Sequence, residues 1–293
     1  MSASTASVDL RESKPRGVWR GRIFVAFLLL SLAIGFVTLG TLIVQVLMKG
    51  LVYVDLVLLT NPPSSNPDVA GARPAILATI YLGILLIALT VPIGVGTAIY
   101  LEEYANRERW YNRLLELNIQ NLAAVPSIVY GILGLAFLVR GLGLGRVLLA
   151  GALILTLLVL PTVIIAAREA IRAVPPSIRE GAYALGATKW QVTWRQVLPA
   201  AIPGIATGSI LAVARGIGET APLLLIGALT FISFNPTVMG PFTALPVQIY
   251  NWTKLPNPEF KNLAAAAIIL LLVIILLLNA GAIYLRNRYQ KKW

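Results

Sequence analysis

In the stretch ARGIGETAPLLL, residues 214–225, Arg215 and Glu219 stand four positions apart inside one of the most apolar parts of the chain. Spacing of i and i+4 places both side chains on one helix face, where they can pair. Two kinds of chemistry fit. A buried ion pair would pin this helix to a neighbour, although such pairs are seldom net stabilising. Alternatively, the planar guanidinium of Arg215 matches an oxyanion through paired N–H donors. Glu219 then holds the arginine while no anion is present, and exchange of partners lets the anion leave. Gly216 and Gly218 flank the pair and Pro222 follows it. They allow a local break that frees backbone N–H groups, and Thr220 adds a hydroxyl.

The element carrying this pair belongs to a membrane protein. Of 293 residues, 58% are hydrophobic and 12% charged, against roughly 25% charged in soluble domains. About 20 apolar residues cross the hydrocarbon core, and charge-free intervals at 23–48, 74–101, 117–139, 147–167 and 262–285 predict five spans. A sixth, 201–226, contains the pair. Arg215 lies 12 residues beyond Pro203, about 18 Å along a helix and near the midplane of a core about 30 Å thick. A charge there costs about 2.5–3.5 kcal/mol on insertion scales. The expected fold class is an all-α, multi-pass integral membrane protein with six transmembrane helices.

Charge signs give the orientation. Arg11, Lys14, Arg16, Arg20 and Arg22 precede the first span; Arg107, Arg109 and Arg113 follow the second; Arg168, Arg172, Arg179, Lys189 and Arg195 follow the fourth; Arg286, Arg288, Lys291 and Lys292 end the chain. The opposite side carries only Lys49, Arg73, Arg140, Arg146, Lys254 and Lys261. The positive-inside rule therefore predicts both termini in the cytoplasm. The layout is a polar tail at 1–21, a membrane domain at 22–285 with a cytoplasmic loop at 172–199, and a basic tail at 286–293. A formal net charge of +12 follows from topology and from attraction to anionic membrane lipid, with no need of nucleic acid. The apolar run after the N-terminal tail is too long for a signal-peptide core, so the first span is expected to be retained. Without Cys or His, disulfides, an imidazole base and the usual zinc and haem ligands are excluded.

Connections carry the remaining signals. Between residues 49 and 73, LVYVDLVLLT predicts a short interfacial segment, and NPPSSNP an irregular loop. Pro126, Gly131 and Gly134 in the third span suit a bend or close helix contact, and either helix packing or a pathway-lining role fits them. In the 172–199 loop, Ser177 and Glu180 form an S-x-x-E box after two prolines, predicting a helix from Ile178. Gly186 can close it with a left-handed cap. Thr188 and Gln191 repeat the box, predicting a second short helix up to Pro199. The apolar residues Ala182, Leu185, Trp190, Trp194 and Leu198 then sit on a surface that something must cover. Tryptophan favours the membrane interface, whereas the small residues Gly181, Ala182 and Gly186 suit close approach by another protein.

EGAYALGATKWQVTWRQVLP resembles the EAA loop of ABC importer permeases, E-A-A-x3-G-x9-I-x-L-P, with Glu180, Ala182, Gly186, Leu198 and Pro199 in register. Gly181 replaces an alanine, and Gln196 stands where an aliphatic residue is usual, a change that loosens packing under the projection. The resemblance implies a coupling helix, including Leu185, that docks in a groove of an ATPase subunit. AIYLEEYA, NLAAVPSIVYGILGLAF, ARGIGETAPLLLIGA and TALPVQIYNW are similar to the PstA-type permeases of high-affinity phosphate importers, from about residue 74 onward. That resemblance implies a type I importer permease, paired with a PstC-type second permease. It also implies two copies of a cytoplasmic ATPase and a periplasmic phosphate-binding protein.

This chain is then expected to be a non-catalytic subunit with no cofactor of its own, ATP and Mg being used by the partner ATPase. Consistently, no lysine follows a glycine, so the Gly-Lys-Ser/Thr of a P-loop is missing. Arg168 and Arg172 are read either as guides for the exiting anion or as positive-inside anchors, and Glu102 and Glu103 as partners for loop arginines. Competing readings are a permease for molybdate or sulfate, an ion-coupled secondary transporter, and a membrane scaffold. A secondary transporter is expected to show repeats with paired broken helices, and none is evident.

Overall fold

The computed structural model describes residues 18–106, 108–228 and 232–289, so Arg107 and the outermost parts of both tails lie outside the described residues. The chain divides into two compact units, Met1–Val46 and Leu47–Trp293. Helix α1, Val18–Gly50, supplies the described part of the first. Its side chains are exposed on every face, Phe24, Leu30, Phe36 and Leu42 among them, the pattern of a helix solvated by apolar surroundings.

The second unit opens with the short helix α2 (Leu56–Thr60), N-capped by Asp55, whose Oδ1 accepts from the Leu58 amide at 2.8 Å. The apolar segment between residues 49 and 73 thus folds, and buried Leu58 anchors it in a cluster with Leu245 and Trp252. Helix α3 (Arg73–Ile99) continues into a π-turn at Tyr100–Tyr104. Then come α4 (Trp110–Ala123), α5 (Ser127–Gly134), α6 (Leu148–Arg172), α7 (Pro176–Ala184) and α8 (Lys189–Val192). They are followed by α9 (Leu198–Ile217), α10 (Ala221–Leu225), α11 (Leu245–Lys254) and α12 (Glu259–Tyr289). Among the described residues there is no strand. Among the described residues five helices are long and apolar enough to cross a membrane, or six if one bent pair is counted as a single span.

That pair corrects the expected third span. Helix α4 begins at Trp110, and the chain turns by 104° before Ser127–Gly141. Pro126 is the cause: its ring disfavours helical geometry at Val125 and it has no N–H to continue the ladder. The last apolar span ends at Tyr284, close to the expected residue 285, while helix α12 continues through Tyr289.

Helices α3, α6 and α9 form the centre, with α6 packed on both others. Small residues allow the approach of α9 to α6: a Cβ on Gly204 would lie 2.8 Å from Ala170 Cβ, and one on Gly208 would press still closer on Ala166. This Gly-x3-Gly spacing is the membrane alternative to a greasy interface, because lipid tails already solvate large apolar side chains.

The 172–199 loop departs from expectation at both ends. Helix α7 starts at Pro176 with Pro175 as its N-cap and no side-chain cap, so the Ser177–Glu180 box does not form. A proline suits the first helical position, and two in succession move the start upstream. Gly186 does close the helix, at φ +78°, and the Thr188–Gln191 capping box is present. The second helix does not stop at Pro199. A π-turn at Thr193–Val197 joins α8 to α9, giving one helical run from Lys189 to Ile217. The altered ladder places Pro199 in a new first turn, where its missing N–H is tolerated.

Candidate functional site

Arg215 sits in the last turn of α9, and Gly218 is that helix's C-cap. The chain breaks at Thr220 and resumes as α10, as the glycines and Pro222 suggested. Arg215 Nε lies 3.8 Å from Glu219 Oε1, with 75% of the arginine side chain exposed and 19% of the glutamate's. This corrects the expectation of a buried pair. At that separation the contact is electrostatic rather than a hydrogen bond, whose N···O distance runs about 2.7–3.2 Å.

Arg215, Gly216 and Glu219 line a cleft of about 220 Å³ whose opposite wall is the α4–α5 break, including Pro126 and Ser127, with Thr162 of α6 alongside. Gly218 and Thr220 do not line it; the Thr220 carbonyl instead accepts from the Leu224 amide. Gly216 has a packing role rather than a hinge role. A Cβ there would meet Val159 Cγ2 at 2.6 Å, so its absence seats the last turn of α9 on α6. Ser127 and Thr162 escaped the sequence reading of the site, although Ser127 stands in the quoted NLAAVPSIVYGILG. Helix α5 begins at the cleft rim, and the first-turn N–H groups of any helix lack intrahelical partners. The cleft therefore gathers one cation, two hydroxyl side chains and a helix N-terminus, donors suited to an anion.

Arg168 is elsewhere and differently used. It is buried, donating from Nε to Glu102 Oε1 at 2.7 Å and from Nη2 to Glu116 of α4. Arg172 donates from Nε to the other Glu102 oxygen at 3.0 Å. With two carboxylates on its guanidinium, Arg168 is neither an anion guide nor a free interfacial anchor. It ties α6 to α3 and α4, and Glu102 and Glu103 are indeed partners of arginines. Arg179 of α7 donates to Glu103 Oε1 at 2.9 Å and to the carbonyls of Val174 and Ile171 at 2.7 and 2.9 Å. That contact fastens the short helix to the end of α3.

The projection beyond this fastening is open. Glu180, Gly181 and Gly186 are exposed, Ala182 is half-buried, and Leu185 is 90% exposed. The rings of Trp190 and Trp194 meet with centroids 4.9 Å apart, tilted by 47°, and remain substantially exposed. Leu198 differs from expectation: it is buried against Val192 and Ile205, while Pro199 is half-buried. Because α8 runs straight into α9, the end of the motif belongs to the helix core. Gln196 and Leu185 line a hollow of about 290 Å³ beneath α7.

The family model described as binding-protein-dependent transport system inner membrane component matches residues 90–291. A probable ABC transporter permease protein of Bacillus subtilis (strain 168), YqgH, is 32% identical over 239 residues, 77% of this chain and 76% of that protein. The phosphate transport system permease protein PstA of Yersinia pestis is 32% identical over 262 residues, 87% of each chain. PstA 1 of Mycobacterium tuberculosis (strain CDC 1551 / Oshkosh) is 40% identical over 190 residues, 64% of this chain and 61% of that protein. In three dimensions, a bacterial ABC transporter involved in alginate import superposes with a TM-score of 0.64 at 18% identity, covering 94% of this chain and 99% of that one. The inward-facing MetNI methionine ABC transporter gives 0.59 at 18% identity, covering 75% and 95%. At such identities the likeness establishes the fold, that of type I importer permeases.

Proposed function

The chain belongs to the family of binding-protein-dependent transport system inner membrane components, and from that premise we propose that it forms half of a path for inorganic phosphate. As a permease subunit of an ABC importer it is a multi-pass inner-membrane component. Phosphate is favoured by the relatives named for phosphate transport and by the chemistry of the cleft. The observation that carries the reading is Arg215: a largely exposed guanidinium facing a polar cleft, its carboxylate partner held 3.8 Å away.

Phosphate entering the cleft takes the paired N–H donors of Arg215, with Ser127 and Thr162 as further hydroxyl donors. Glu219 repels the anion and competes for the guanidinium, so occupancy is brief. Weak, exchangeable binding is what a conducting path requires. ATP and Mg act in two copies of a cytoplasmic ATPase that dock on Glu180, Gly181, Ala182, Leu185 and Gly186. Arg179 carries their movement to α3 and α6. A PstC-type permease supplies the other half, a phosphate-binding protein delivers the ion outside, and both termini lie in the cytoplasm.

The test is uptake of radiolabelled phosphate, with sulfate and molybdate in parallel, by cells lacking this chain and complemented with wild type or Arg215→Gln. The expected result is phosphate uptake that depends on the chain and falls at least about tenfold in the variant, the loss of one charge-assisted contact. Normal uptake by an assembled Arg215→Gln complex would remove the arginine from the path. Dependence of sulfate or molybdate uptake instead would reassign the substrate.

A further inference from the structure

A second concavity of about 310 Å³ lies on the other side of α9, between α3, α9 and α12. Its walls are apolar over most of their length, with Ile87, Val213, Ile217 and Ile275 at one end. Polarity is confined to the remainder. Arg286 closes the far end, and Ser209 and Asn279 stand between. Along α12, Asn279 precedes Arg286 by two helical turns, about 10 Å, and Ile275 precedes Asn279 by one more. Along α9 the same gradient runs from Thr207 through Ser209 to Ile217.

Two of these polar groups are short of partners. Arg286 donates from Nη1 to Thr207 Oγ1 at 2.6 Å and from Nε and Nη2 to Asn287 Oδ1 at 3.1 and 3.0 Å. All three contacts are to neutral acceptors, and among the described residues no carboxylate pairs with it. A guanidinium has five N–H donors, so two stay available for an anion. Ser209 is 5% exposed, and its Oγ has no hydrogen-bond partner. Buried hydroxyls normally find one.

We infer that this groove seats one anionic phospholipid. Its phosphate takes the free donors of Arg286. Its ester carbonyls, one step deeper, accept from the Ser209 hydroxyl and the Asn279 amide. An acyl chain then lies along Val213, Ile217 and Ile275. The order cation, neutral donors, apolar wall reproduces the order phosphate, ester, hydrocarbon of a phospholipid. A zwitterionic lipid brings its own ammonium to the guanidinium and is the poorer match.

Native mass spectrometry of the full chain, purified with its accompanying subunits and titrated with phosphatidylglycerol or phosphatidylcholine, tests this. One tightly held phosphatidylglycerol per chain is expected, with phosphatidylcholine weaker. Arg286→Gln should lower phosphatidylglycerol retention by about tenfold, the effect of one charge-assisted hydrogen bond, and Arg286→Lys should retain most of it. Ala282→Phe, which fills the groove and leaves the arginine, should also release the lipid; loss in both variants separates a seated molecule from surface attraction. Equal retention of the two lipids, or unchanged retention in Ala282→Phe, overturns the inference. So does efficient cross-linking of Ala282→Cys, in a chain with no cysteine of its own, to another polypeptide.

Discussion

Arg168 on α6 and Arg215 on α9 both interrupt apolar helices that pack on one another, yet their guanidiniums meet opposite surroundings. Arg168 is buried between Glu102 and Glu116, carboxylates from two other elements, one of them at 2.7 Å. Among the described residues Arg215 pairs with Glu219 alone, at 3.8 Å, and is largely exposed. The difference separates two uses of one residue type. A guanidinium whose donors are taken by carboxylates is a structural bolt, whereas one with donors to spare can take an anion that comes and goes.

Substitutions can break this contrast, beginning with the bolt. Arg168→Met takes a buried guanidinium from buried Glu102 and from Glu116, and removing one partner of a buried pair costs about 3–5 kcal/mol. The expected outcome is a sharp drop in membrane-inserted protein or in the thermal midpoint of the detergent-purified chain; near-normal stability would mean that Arg168 is not a bolt. Arg179→Gln removes the link from α7 to Glu103 and should cost about 1.5–3 kcal/mol, seen as faster proteolysis between residues 176 and 188. Gly186→Ala forces a side chain into φ +78° and should cost about 1–2 kcal/mol, read as a smaller shift of the same midpoint. Arg215→Gln should change the midpoint least, by within about 0.5 kcal/mol as for other exposed positions. A large shift there would make it a second bolt and erase the contrast.

Much of the 172–199 segment was legible from local chemistry. Gly186 and the Thr188–Gln191 box act within a few residues, so their geometry follows from short-range hydrogen bonding and backbone sterics. The Ser177–Glu180 box does not form, because Pro175 and Pro176 govern the helix start more strongly than a side-chain cap. Around Arg215, spacing put Glu219 on the correct face, but the burial of the pair did not follow from the apolarity of neighbouring residues. Hydropathy reports what a segment prefers to touch; it cannot report that the α4–α5 break opens a cleft opposite.

Composition and the lengths of the charge-free runs alone determined that this is a multi-pass membrane protein, because crossing about 30 Å of hydrocarbon demands about 20 apolar residues in succession. Local motif spacing determined a glycine-capped projection. Only the tertiary structure decided which arginine is consumed and which is left available. Glu102 and Glu116 lie 66 and 52 residues from Arg168, and ion pairing depends on distance in space, which the packing of α3 and α4 on α6 sets.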